Sequence, residues 1–80
     1  MKTKTTFYRT IITNGDRQVV SARNFDLLAD AEELAESWNN KMLGRESDYG
    51  ILSYIAVQKL EQELESVGLQ IWETLTEFEH

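Results

Sequence analysis

Eighty residues with a net charge of -6 and no cysteine allow one domain, 1–80, with a thin core, because so short a chain buries only about 60% of the surface its unfolded form exposes. The absence of cysteine removes both a disulfide framework and a thiolate zinc site, and the longest aliphatic runs, such as Ile55-Ala56-Val57, fall far short of the roughly 18 residues of a membrane-spanning helix. The basic start, Met1-Lys2-Thr3-Lys4, leads into Phe7-Tyr8-Arg9 and not an apolar signal region, so a cytoplasmic location is expected.

Residues 5–13 and 17–25 are rich in β-branched and aromatic types and flank Asn14-Gly15, which predicts a β-hairpin. A two-residue loop would pair Thr13 with Asp16. It would group Phe7, Ile11, Val20 and Ala22 on one face and Tyr8, Ile12 and Val19 on the other, so that neither face is purely polar. From Asp26 the apolar period lengthens: Leu28, Ala31, Leu34 or Ala35, Trp38 and Met42 recur every three or four residues, predicting a helix over 26–43. Asp26 suits its N-cap and Gly44 its C-terminal stop.

Residues 43–50, with two glycines and several charges, read as a loop, and the β-branched run at 51–59 as a third strand. In the last segment Leu60, Leu64, Val67, Ile71, Leu75 and Phe78 recur at helical spacing with glutamates between them, predicting an amphipathic helix over 60–79. Gly68 interrupts that pattern, and residues 69–76 could form an edge strand instead. The expected fold is α+β in the order ββαβα, a three-stranded antiparallel sheet with an amphipathic helix and a C-terminal helix.

The chemistry open to these residues is narrow. The one histidine is His80, and there is no cysteine, so a nucleophile–base–orienter set cannot be assembled. The four glycines are too scattered for a phosphate-cradling loop, and Glu46-Ser47-Asp48-Tyr49-Gly50 supplies only fragments of a calcium loop. No enzymatic activity, cofactor or metal is expected.

Charge is unevenly placed. Residues 1–25 hold five cations against Asp16 alone, a net of +4, whereas residues 26–80 hold thirteen carboxylates against Lys41, Arg45 and Lys59, a net of -10. Carboxylates spaced along helices can stand in for phosphates and steer a domain into a basic groove. On this reading Glu32, Glu33, Glu36, Asp48, Glu61, Glu65 and Glu73 meet a larger basic partner, a nuclease or nucleic-acid-binding complex, with Tyr49 and Trp72 as anchors and Tyr54 as a further candidate. Hydrated, solubilising faces and core aromatics are the plainer reading of the same residues.

Two other uses compete. The stripe from Leu60 to Phe78 could pair with a second copy into a homodimer, and the basic hairpin, with Arg9, Arg17 and Arg23 beside Phe7 and Tyr8, could stack single-stranded bases. The acidic remainder opposes the latter, so no direct nucleic-acid binding is expected. In size, acidity and lack of catalytic residues the chain resembles the small phage-encoded proteins that inhibit host defence nucleases, anti-CRISPR proteins among them. The likeness carries no motif and no residue-by-residue correspondence; it implies a stoichiometric, non-enzymatic inhibitor.

Overall fold

Alternating β-branched and aromatic residues put the N-terminal third into two antiparallel strands, β1 (Lys4–Asn14) and β2 (Val19–Phe25). They belong to a computed structural model that describes residues 4–63 and 71–80. The helix α1 (Leu28–Lys41), the two-residue strand β3 (Glu46–Ser47), and the strands β4 (Gly50–Glu63) and β5 (Glu73–Glu79) follow. The fold is α+β with a five-stranded antiparallel sheet and one helix: the strands run β2-β1-β4-β5 across, and β3 pairs with the start of β4. Among the described residues no helix is long and apolar enough to cross a membrane.

The hairpin forms, but not through a two-residue turn. Arg17 N–H donates to the Asn14 carbonyl and Asn14 N–H to that of Gln18, both at 3.1 Å, and Arg17 takes the left-handed conformation at φ 64°. This closes a three-residue loop, Gly15 to Arg17, in which the residue at positive φ is Arg17 and not Gly15. Asn14 acts through its side chain instead. Its Oδ1 accepts from the backbone N–H groups of Asp16 and Gln18, each at 3.0 Å, and its Nδ2 donates to Gln18 Oε1 at 3.1 Å and to the Tyr49 carbonyl at 2.8 Å. One buried amide therefore ties the β1–β2 turn to the β3–β4 turn.

The longer loop moves the register. Thr13 faces Val19, Ile12 faces Ser21 and Ile11 faces Ala22, with a bulge between Ile12 and Thr13. The bulge exchanges the two valines: Val20, not Val19, joins Tyr8, Ile12 and Phe25 beneath the helix, while Val19 is exposed.

Helix α1 lies inside the expected span. Leu27, extended at φ -115°, takes the N-cap position without a side-chain bond, so Asp26 is one residue too early to cap. Ala31 and Ala35 are fully buried, small enough to bring the helix close to the sheet, and Thr10 Oγ1 donates to the Ala31 carbonyl at 2.6 Å. With Ile12, Leu52, Ile55 and Val57 they form the core, and Trp38, Met42 and Phe78 pack at its margin. Gly44, at φ +86°, turns the chain off the helix end, as expected of a glycine there.

Three expectations are corrected. The segment 43–50 is not all loop, since Glu46 and Ser47 pair with Ile51 and Gly50 as β3. The third strand, expected at 51–59, runs to Glu63 because β1 offers a partner along its whole length, from Asn14 against Leu52 to Lys4 against Glu63. No helix spans 60–79. Residues 60–63 continue β4, and Glu73–Glu79 forms β5, pairing from Lys59–Glu73 to Tyr54–Glu79. The sheet thus gains two strands over the expected three, and the order becomes ββαβββ. Residues 64–70, with Leu64, Val67 and Gly68, lie outside the described residues. In β5, Thr74, Thr76 and Phe78 suit a strand, and pairing with β4 outweighs the helical spacing of Ile71, Leu75 and Phe78.

Because the core is small, the buried polar ties carry a large share of the stability. Asn14→Ala removes four hydrogen bonds from a side chain 2% exposed and is expected to lower the unfolding free energy by about 3 kcal/mol in urea titration. Gly15→Ala, with open space around the added methyl, costs less than about 1 kcal/mol. Equal losses in the two variants would contradict this account of the turn.

Candidate functional site

The two faces of the sheet differ. On the helix side, the inward positions of α1 are taken by Leu28, Ala31, Ala35 and Trp38, which leaves Asp30, Glu32, Glu33 and Glu36 exposed on its outer surface. The helix carries one cation, Lys41, in its last turn. Carboxylates in the first turns favour the positive end of the helix dipole, so local stability alone accounts for Asp30.

Glu61 and Glu73 lie on the same side of the sheet by register. Lys59 stands opposite both Tyr8, which packs at the core margin, and Glu73, and its Nζ meets Glu61 Oε1 at 2.8 Å. The bond to Glu61, then that residue's charge, raises the Lys59 pKa. Glu61 and Glu73 therefore sit on adjacent strands beside a cation, not on a shared helical stripe, and Glu65, expected to join them, lies outside the described residues. Asp48 and Tyr49 are exposed in the β3–β4 turn, and Tyr49 contributes its carbonyl to Asn14.

Trp72 stands apart from all of these. The face away from the helix carries Phe7, Arg9, Ile11 and Thr13 of β1 opposite Leu60, Gln58, Ala56 and Tyr54 of β4. Here the Arg9 guanidinium stacks 4.1 Å from the centre of the Trp72 ring, and its Nε donates to Gln58 Oε1 at 2.7 Å. Gln58 Nε2 donates onward to Thr74 Oγ1 at 3.1 Å. Further along, Arg17 lies 5.1 Å from the Tyr54 ring, and Tyr54 bonds to Glu77. Sequence spacing gave no hint of either guanidinium–aromatic pair, because each joins residues distant in the chain through the register of β4 and β5.

The predicted site residues thus fall into three places. Glu32, Glu33, Glu36, Glu61 and Glu73 share the helix side, Asp48 and Tyr49 the turn end, and Trp72 the opposite face. An open depression of about 500 Å³ lined by Phe7, Asn24, Phe25, Asp26, Leu27 and Asp30 borders the helix N-terminus, and two of its six lining residues are carboxylates. Among the described residues no group of three or more His, Asp or Glu converges as a metal site.

Burial first, then the bond to Glu77, raises the Tyr54 pKa above its usual value of 10.0. The native state therefore keeps this proton to higher pH than the unfolded chain, and the stability it contributes below pH 10.0 is lost as pH rises through the folded pKa. Lys59, also raised, adds a decline of the same sign. Unfolding free energy is expected to fall on the alkaline side, and Tyr54→Phe to flatten part of that fall; an unchanged alkaline limb would contradict the assignment. No family model, curated protein or solved structure matches the chain.

Proposed function

We propose that the protein is a non-enzymatic, stoichiometric binding module whose helix side occludes a basic, nucleic-acid-handling site on a larger protein, in the manner of a phage-encoded inhibitor of a host defence nuclease. The observation that carries this reading is the outer surface of α1, where Asp30, Glu32, Glu33 and Glu36 are exposed in succession. Glu61 and Glu73 widen the acidic side at the sheet. Such an array accelerates encounter with a basic groove more than it tightens the complex, so an apolar anchor is required as well. Tyr49, 67% exposed at the turn end, and Leu27, 62% exposed beside the helix N-terminus, are anchors the surface offers; Trp72 is engaged with Arg9 on the opposite face.

The test is capture from nuclease-treated bacterial lysate on the immobilised domain, eluted with rising salt, alongside the triple variant Glu32→Lys, Glu33→Lys, Glu36→Lys. These side chains are exposed, so the substitutions leave the core intact. Wild type is expected to retain a basic nucleic-acid-binding protein that elutes at moderate salt, and the triple variant to retain at least about tenfold less, the effect of about 1.4 kcal/mol. Equal retention by both would contradict the acidic-face reading. Recovery of nothing but the domain's own oligomer would favour self-association instead.

A further inference from the structure

On the sheet face away from the helix, no carboxylate among the described residues pairs with Arg9. Cross-strand register sets four polar side chains in one row across the sheet: Asn24 on β2, Arg9 on β1, Gln58 on β4 and Thr74 on β5. Arg9 sits second in the row, over the Trp72 ring and held at Nε by Gln58, itself held by Thr74. A guanidinium fixed by one stack and one hydrogen bond loses little freedom on binding, and its Nη donors remain for an acceptor. In a chain of net charge -6 a carboxylate would be the ordinary partner, yet among the described residues none pairs with Arg9. Burial shifts its pKa downward. Glu77 and Glu79 stand opposite Ala56 and Tyr54, two and four residues along β4 from Gln58 and on the second strand from β1, so their backbone lies about 12 and 16 Å from that of Arg9. At about 10 Å a surface charge is largely screened at 0.1 M salt.

We propose that Arg9, oriented by Trp72 and Gln58, is an anion-recognition point on the sheet face away from the helix and takes a phosphate group, with Asn24 and Thr74 beside it as neutral polar partners. Two oxygens of a phosphate match the paired N–H donors of a guanidinium fork. The binding is weak for a lone phosphate, because one fork works against the negative charge of the whole domain. This inference is independent of the acidic helix side and concerns the opposite face.

The test is an NMR titration of the full chain at fixed ionic strength, following the Arg9 Nε–H and Trp72 Nε1–H resonances. Inorganic phosphate, adenosine monophosphate and a short oligothymidylate are added in separate arms. Saturable shifts of both resonances are expected, with affinity at least tenfold lower in Arg9→Gln and a smaller loss in Arg9→Lys, which keeps the charge and forfeits the fork. Saturation at the lowest concentration with oligothymidylate identifies a nucleic-acid strand as the source of the phosphate; equal or tighter binding of the mononucleotide identifies a free nucleotide. The lysine variant provides the comparison should the glutamine variant fold poorly. Absence of saturable shifts in all three arms, unchanged affinity in both variants, or acetate acting as strongly as phosphate would overturn the proposal.

Discussion

One helix must serve a sheet whose two central strands carry buried apolar residues on both faces, and most of the remaining structure follows from that constraint. Helix α1 covers Tyr8, Ile12, Ile55 and Val57, and Phe78 of β5 closes the margin of the same core. Ile11, Ala56 and Leu60 point the other way and are nevertheless at most 6% exposed. The same face carries two guanidinium–aromatic pairs, Arg9 over Trp72 and Arg17 over Tyr54.

The same constraint separates the charges. A helix that spends its inward positions on Ala31 and Ala35 has little apolar area to offer, so close approach and the Thr10 hydrogen bond make up what bulk does not. Its outward positions are left for carboxylates. Five of the eight cations fall in residues 1–25, and two of these, Arg9 and Arg17, lie over aromatic rings on the opposite face. An acidic helix side thus stands back to back, across one sheet, with a face that carries Arg9 and Arg17 together with Glu77 and Glu79.

Local chemistry made part of this legible. The period change after Asp26 located α1, and the β-branched runs located β1, β2 and the first part of β4, because each signal is set by residues close in sequence. At the end of the chain the spacing of Leu60, Ile71, Leu75 and Phe78 predicts a helix, and the alternative edge strand over 69–76 lies nearer the structure, since Leu60 belongs to β4 and Phe78 to β5 on opposite faces of the same sheet. Asn14-Gly15 announced a turn but not its length, since the side chain of Asn14 satisfies the backbone of a three-residue loop as readily as a shorter loop would use its backbone freedom. The acidic site was legible as composition. Its geometry was not, because whether Glu61 and Glu73 join the helix carboxylates, and whether Trp72 does, depends on strand register that no local pattern encodes.

The central claim, that the helix side is the surface that meets a partner, is tested most directly by carbodiimide footprinting of carboxylates in the free domain and in its complex with the captured protein. The account predicts protection of Glu32, Glu33 and Glu36 on complex formation while Glu77 and Glu79, on the opposite face, label as before. Protection of Glu77 and Glu79 with the three helix glutamates unchanged would contradict it.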